Sequence, residues 1–141
     1  MVATRRAAPA LGQVLAADVH AIRSNPPAAN AAVDGYGCAH EASGSGDQYL
    51  PLVAGRAAAG SPFGGAVPKG YAVRILTGAL LPDGVDTVVL EEDVSTDGTR
   101  IAFEGPVKFG ANARKAGEDV AKGEVALSAG RRLGPAELAL L

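Results

Sequence analysis

Two short polar motifs, each followed by glycine, are the first residues of this sequence that could do chemistry. Asp34 precedes Gly35, and Thr77 precedes Gly78 at the end of an apolar segment. Because Asp-Gly is common in tight turns, Asp34 either closes a turn or presents a carboxylate to a metal ion or a water molecule. Thr77 either bonds its own turn or forms, with nearby backbone N–H groups, a corner that accepts an oxyanion such as phosphate.

A third motif is a glycine-bordered charged stretch at residues 110–119. It contains Arg114 and Lys115, followed by Glu118 and Asp119. Arginine offers parallel charge-assisted hydrogen bonds to phosphate or carboxylate, and lysine adds a point charge. Neighbouring carboxylates provide the oxygen ligands that Mg²⁺ prefers. A solvated loop with compensating charges is the alternative interpretation.

The remaining polar residues favour simpler interpretations. The acidic run Glu91–Asp93 is typical of a solvated strand end, and His20 and His40 are not spaced as a metal-ligand pair. Cys38 is the single cysteine, which excludes an intramolecular disulfide and a cysteine-cluster metal site. We expect this thiol to be exposed but inert, because no base accompanies it in the sequence, and its isolation favours a reducing compartment.

Composition and charge exclude several classes of protein. The 141 residues are 48% hydrophobic and 20% charged, which predicts one folded domain or two small ones. A net charge of −2 and the absence of Trp argue against a nucleic-acid binder that depends on cations and base stacking. The basic start Met1–Arg6 is not followed by the apolar run of a signal peptide, and no segment is long and apolar enough to span a membrane. We therefore expect a cytoplasmic protein.

The elements that position these motifs are predicted to be mostly short strands. Nineteen Gly and nine Pro exclude a helical bundle. Apolar and β-branched runs predict strands at residues 19–22, 49–54, 71–76, 87–90, 100–103, 107–109 and 124–127. Pro51 places its strand at a sheet edge, and Asp97-Gly98 predicts a hairpin turn.

A long loop and a short helix complete the predicted organisation. Residues 28–46 are small, polar and glycine-bearing, which indicates a shaped loop. Pro135 and Glu137 are typical of a helix start, and that helix reaches Leu141. Because so short a helix is unstable alone, it must pack on its own domain, on a continuing chain or on a partner. The fold class is α+β and β-rich.

Taken in order, these motifs resemble the amino-terminal half of the MoeA/gephyrin E-domain family, the molybdopterin molybdenumtransferases. Residues 26–37 resemble the family pattern P-P-x-x-N-S-A-M-D-G-Y-A, and residues 110–123 resemble G-x-N-x-R-x-x-G-E-D-x-x-x-G. Residues 70–89 resemble G-x-A-V-R-I-M-T-G-A-P-x-P-x-G-A-D-x-V-V. Residues 133–138 are similar to the family's helix that leads into the next domain. The similarity runs from about Leu11 to the last residue in the family's order.

The resemblance implies a fold and an activity. The fold is that of the MoeA N-terminal region, with a small β domain at residues 34–115 inserted between elongated outer segments at 1–33 and 116–141. The activity is the insertion of molybdate into adenylylated molybdopterin with release of AMP, assisted by Mg²⁺. The protein is expected to be a homodimer, without nucleic-acid or membrane partners.

The resemblance also assigns roles to single residues. Asp34, Thr77 and Asp119 are the expected catalytic residues; Thr77, Arg114 and Lys115 are expected to bind the anionic substrate; and Asp34, Glu118 and Asp119 are expected to hold the metal ion. Cations and N–H donors suit a pterin nucleotide and molybdate, which are anionic, and carboxylates suit Mg²⁺. We expect Asp34, Thr77 and Arg114 to approach a common cleft, which could lie across a dimer interface.

The departures from the family pattern leave alternatives open. Ala31, Val33 and Gly37 replace the Ser, Met and Ala of the pattern. The pterin-binding α/β domain and the carboxy-terminal β domain of the family have no counterpart here and are expected in cis or in trans. The chain then contributes part of a site. The alternatives are a non-catalytic MoeA-like scaffold or dimerisation module, and a free-standing β module that binds an unrelated anion.

Overall fold

The computed structural model describes residues 10–141, so the basic start at Met1–Arg6 lies outside the described residues. The strands are β1 (Val19–His20), β2 (Asn30–Ala31), β3 (Gly35–Cys38), β4 (Gly46–Ala57), β5 (Ala72–Ile75), β6 (Thr87–Leu90), β7 (Ser95–Thr96), β8 (Arg100–Gly105), β9 (Ala113–Arg114) and β10 (Val125–Leu127), and the α-helix is α1 (Pro135–Leu140). Single 3₁₀ turns cover His40–Ala42 and Glu91–Asp93. The predicted β-rich α+β class is confirmed.

The chain divides into two compact units. Of the described residues, 10–25 and 117–141 form an outer unit, and Pro26–Ala116 form a β unit. The sequence had suggested boundaries after residues 33 and 115. Residues 26–33 belong with the β unit because the backbone of Ala31 exchanges hydrogen bonds with the segment that follows β5. The Ala31 N–H donates to the Ala79 carbonyl (2.9 Å), and the Gly78 N–H donates to the Ala31 carbonyl (2.8 Å).

The β unit contains a six-stranded sheet in the order β6-β3-β5-β4-β8-β7. Strand β3 pairs antiparallel with both β5 and β6, whereas β4 and β5 are parallel. Strands β7 and β8 form the predicted hairpin, and Gly98 takes a φ of +86° in its turn, a conformation that glycine adopts without steric cost. A separate two-stranded sheet joins β2 to β9.

Strand β3 lies where the sequence predicted a loop, and that prediction was wrong. All four of its residues are buried. Tyr36 and Cys38 share one face, because side chains alternate along a strand, and they pack into an apolar cluster. Gly35 and Gly37 occupy the other face. A Cβ atom at Gly35 would collide with the carbonyl oxygen of Val89 on β6, so only glycine permits this approach.

The long strand β4 corrects a second prediction. Pro51 had suggested an edge strand, yet β4 lies between β5 and β8. Residues 46–51 pair with β8, and residues 52–57 run beside β5. Pro51 is thus the last residue that pairs with β8, at the point where the partner changes. A proline is tolerated there because the Leu52 N–H donates to the Thr99 carbonyl on the β8 side (2.8 Å), so the nitrogen of Pro51 faces the β5 side, where paired residues begin only at Leu52.

The remaining strand predictions had mixed outcomes. Strand β5 lies within the predicted 71–76, and β6 has the predicted bounds. Residues 107–109, which alternate in polarity, form no strand. The alternation fails as a signal here because a turn over residues 109–112 begins immediately after residue 108.

The outer unit consists of two chain segments that run antiparallel. Strand β1 pairs with β10, and isolated bridges join Val14 to Arg132 and Asn25 to Val120. Helix α1 begins at Pro135 as predicted and buries none of its residues. Leu140 and Leu141 are 63% and 53% exposed. None of the helices in residues 10–141 has the length and apolar character needed to cross a membrane.

The close approach at Gly35 yields a stability prediction. Gly35→Ala should lower the free energy of unfolding by about 3 kcal/mol, because the added methyl group meets a backbone carbonyl that cannot rotate away. Gly64→Ala is the matched control, since a Cβ atom there meets nothing within 4 Å. That control should change stability by less than about 1 kcal/mol in urea unfolding. Equal effects of the two substitutions would contradict the packing at Gly35.

Candidate functional site

The candidate site forms where three strand ends meet in the β unit. Asp34 directly precedes β3, Thr77 follows β5 and Glu91 directly follows β6. Gly35 pairs with Ile75 on β5 and with Leu90 on β6. Because both neighbours are antiparallel to β3, its start adjoins both of their ends. We call Asp34, Arg74, Thr77 and Glu91 the strand-end site.

Thr77 binds the carboxylate of Asp34 with both of its donors. Oδ1 of Asp34 accepts hydrogen bonds from the Thr77 backbone N–H (2.7 Å) and from the Thr77 hydroxyl (2.6 Å). The hydroxyl bond, then the backbone bond and the charge of Arg74 hold the pKa of Asp34 below its usual value. Asp34 is exposed, so it presents an ionised carboxylate to solvent at neutral pH.

Arg74 joins the elements around Asp34. Its Nη1 donates to the Gly35 carbonyl (3.2 Å), its Nη2 donates to Glu91 Oε2 (2.7 Å), and its guanidinium carbon lies 5.0 Å from the centroid of the Tyr36 ring. The Glu91 N–H donates to the backbone carbonyl of Asp34 at 3.2 Å. Sequence reasoning gave neither Arg74 nor Glu91 a role. The signal it could have used is an arginine inside an otherwise apolar strand.

The segment with Arg114 lies beside the chain that leads into Asp34. Arg114 on β9 pairs with Asn30 on β2, and the Ala32 N–H donates to the Asn112 carbonyl at 2.8 Å. Asn112 has a φ of +54° and donates through Nδ2 to the Val88 carbonyl at 2.9 Å. Arg114 is half-buried, and Lys115 is exposed.

Glu118 and Asp119 belong to the outer unit. The Asn25 side-chain amide donates to Asp119 Oδ2 (2.8 Å), and the Asp119 N–H donates to the Asn25 carbonyl (2.9 Å). Asn25 therefore orients the carboxylate of Asp119. Throughout residues 10–141, no group of three or more His, Cys, Asp or Glu side chains is placed to hold a metal ion.

Two clefts of about 440 Å³ open on the β unit. One is lined by Tyr36 and Arg74, and the other by residues that include Asn112. Neither is lined by Asp34, Thr77 or Arg114, which were expected to approach a common cleft. Asp34 and Thr77 instead lie together on exposed surface.

Cys38 corrects the expectation of an exposed thiol. Its side chain is fully buried in the apolar cluster around Tyr36. Burial first, and the charge of Asp86 second, raise the pKa of the Cys38 thiol to about 11. The thiol stays protonated at neutral pH and is not a nucleophile.

The hydroxyl of Thr77 should control the ionisation of Asp34. Thr77→Val removes the shorter of the two hydrogen bonds and should raise the pKa of Asp34, whereas Thr77→Ser keeps the hydroxyl and should leave this pKa close to that of the unsubstituted protein. The side-chain carboxyl ¹³C shift of Asp34, followed against pH by NMR, measures it. An unchanged pKa in Thr77→Val would contradict the hydrogen bond as its cause.

The burial of Cys38 predicts its chemical behaviour. A thiol reagent at neutral pH should fail to modify the folded protein and should react completely once the protein is unfolded in guanidinium. Mass spectrometry before and after unfolding measures the fraction of the protein that carries the label. Rapid labelling of the folded protein would show that the thiol is accessible.

Comparison with known proteins places this geometry in a family. The family described as the MoeA N-terminal region (domain I and II) matches residues 1–141. The molybdopterin molybdenumtransferase of Haemophilus influenzae is 40% identical over 134 residues, which are 94% of this chain and 32% of that protein. The corresponding protein of Synechococcus elongatus is 37% identical over 132 residues, which are 91% of this chain and 33% of that protein.

Solved structures agree with this assignment. The crystal structure of the molybdopterin biosynthesis moeA protein from Pyrococcus horikoshii superposes with a TM-score of 0.88 at 35% identity, over 95% of this chain and 36% of that one. The chain spans about a third of the length of the relatives it matches. The match along the whole chain and the shared fold confirm the resemblance seen in the motifs: the chain belongs to the MoeA N-terminal region family.

Proposed function

We propose that this chain forms the amino-terminal part of a molybdopterin molybdenumtransferase. In this role it takes part in molybdenum cofactor biosynthesis and supplies part of the site at which molybdate enters adenylylated molybdopterin. One observation carries the proposal: in a chain that matches the MoeA family throughout, Asp34 and Thr77, two motif residues 43 positions apart, are bonded to each other on exposed surface.

The negative charge of Asp34 limits how the proposed site can act on anionic substrates. An ionised Asp34 repels a phosphate or a molybdate that approaches alone, so its carboxylate must act on a proton or through a bound cation. Arg114 and Lys115, in the same unit, are the cations proposed to bind the phosphate groups or molybdate. Thr77 keeps Asp34 ionised and fixes the direction of its carboxylate.

The carboxylates expected to hold a metal ion can be compared with the ligands that Mg²⁺ takes in proteins. The described residues hold no all-protein cage, but Mg²⁺ usually takes one or two carboxylates and completes its shell with water and substrate oxygens. Glu118 and Asp119 provide neighbouring carboxylates of that kind in the outer unit, and Asp34 provides one in the β unit. Within each unit taken by itself, these carboxylates fit that binding mode. When bound, Mg²⁺ would neutralise charge on substrate oxygens.

The rest of the enzyme must come from elsewhere. The relatives are about three times as long as the match, so we propose that a pterin-binding α/β domain, in cis or in trans, completes the site. We also propose a homodimer. The exposed Leu140 and Leu141 on and after α1 are available for packing against such a domain or a second copy.

The alternative of a non-catalytic scaffold rests on Ala31, which replaces the family's serine. Its methyl group is buried among Ala57, Ile75, Ala79 and Val88. The replacement therefore adds apolar packing, and both backbone hydrogen bonds of Ala31 to the segment after β5 are present. The structure consequently favours a retained site over a scaffold that has lost one.

The experiment compares Asp34→Asn with Asp47→Asn in the full-length protein. AMP release from adenylylated molybdopterin in the presence of molybdate and Mg²⁺ measures turnover. Asp34→Asn should lower kcat about a hundredfold, because the carboxylate loses its charge and its ability to take a proton. Asp47, exposed on β4 away from the strand-end site, should change kcat by less than about twofold. Normal turnover in Asp34→Asn would contradict the proposed site, and no turnover in the unsubstituted protein would favour the scaffold.

A further inference from the structure

Arg74 makes more contacts around the strand-end site than β5 requires. The sheet fixes its backbone opposite Tyr36 on β3. Its side chain then crosses toward the start of β3, where Nη1 donates to the carbonyl of Gly35, the residue next to Asp34. Nη2 reaches past β3 to Glu91, which follows β6. One guanidinium thus ties together all three strands that form the site.

Glu91 links Arg74 to the backbone of Asp34. Its carboxylate accepts from Arg74, while its own backbone N–H donates to the backbone carbonyl of Asp34. Asp34 is therefore held at its carbonyl by Glu91 and at its carboxylate by Thr77. The next peptide, between Gly35 and Tyr36, is held by Arg74 at the Gly35 carbonyl. These bonds fix the backbone of Asp34 and the direction of its carboxylate together.

The surroundings of Arg74 make this arrangement rigid. Its side chain is 25% exposed, against 53% for Glu91, and it lies over the ring of Tyr36. A planar guanidinium can stack its face on an aromatic ring while its edge donates to two acceptors, whereas an ammonium group has three donors but no plane to stack. The exposed pair Lys69–Glu41, whose side chains are 84% and 63% exposed, lacks these constraints.

We infer that Arg74 is a positioning residue for Asp34, acting through the Gly35 carbonyl and through Glu91. This inference rests on the proposed function of Asp34, because only an active carboxylate gives its position a measurable consequence. In this role Arg74 acts through the groups that its guanidinium bonds, the Gly35 carbonyl and Glu91, and not through the substrate. Its loss should therefore affect the rate of turnover and not substrate affinity.

The test is steady-state kinetics of the full-length protein with Arg74→Ala, Arg74→Lys and, as a matched control, Arg100→Ala. Arg100 also belongs to an ion pair of the β unit, with Asp97 in the hairpin. Arg74→Ala should lower kcat about tenfold to a hundredfold and leave the KM for adenylylated molybdopterin within about twofold, since misplacement of a reacting group costs rate. Millimolar guanidinium should restore part of kcat. Arg74→Lys should recover only part, and Arg100→Ala should match the unsubstituted protein.

A second variant keeps the test decisive if Arg74→Ala fails to fold. Glu91→Ala leaves the packing of Arg74 on Tyr36 intact and should lower kcat about threefold without changing KM. A rise in KM at constant kcat would overturn the inference by showing that Arg74 binds substrate. So would a loss in Arg74→Ala no larger than in Arg100→Ala. If Asp34→Asn is impaired while the Arg74 and Glu91 variants are normal, only this inference fails; if Asp34→Asn is normal, the proposed function fails.

Discussion

The strand-end site depends on the missing side chain at Gly35. The carbonyl of Val89 occupies the space that a Cβ atom would need, so β6 lies directly against the start of β3. That approach brings Glu91, the residue after β6, within reach of the Asp34 backbone and of Arg74. Any side chain at residue 35 would push β6 outward and separate these groups. The close contact between β3 and β6 at Gly35 therefore determines the positions of the polar groups at the strand ends.

The hydrogen-bond donors around Asp34 keep its carboxylate ionised. Arg74 is paired with Glu91, so neutral donors of Thr77, and no directly bonded cation, stabilise the Asp34 carboxylate. Its folded-state pKa is lowered, and the stability that these bonds contribute is therefore present above the unfolded value, at neutral pH. It is lost as the pH falls through the lower folded-state pKa. Asp34 thus remains charged and available to a cation or a proton.

Local patterns in the sequence predicted the elements whose residues have strong intrinsic preferences. Strand β6 and the hairpin at Gly98 follow from β-branched runs and turn residues. Strand β3 was not predicted because Gly-Tyr-Gly-Cys has weak strand propensity. It is buried because its neighbouring strands approach closely at the two glycines. The family motifs identified Asp34 and Thr77 separately. Their hydrogen bond, like the contact between Arg74 and Glu91, depends on strand register, which no local spacing reveals.

The departures from the family pattern change the sizes of buried side chains in the β unit, while the polar groups of the strand-end site are present. The pattern has alanine at the positions of Gly37 and Val85, and here a Cβ atom on Gly37 would lie 2.8 Å from Val85 Cγ1. The smaller residue on β3 therefore makes room for the larger one that faces it, which preserves packing density. Ala31 likewise fills an apolar cluster. Beside this altered core, Asp34, Thr77, Arg74 and Glu91 form one bonded network. The compensated core and the intact network together are the structural support for the proposed site.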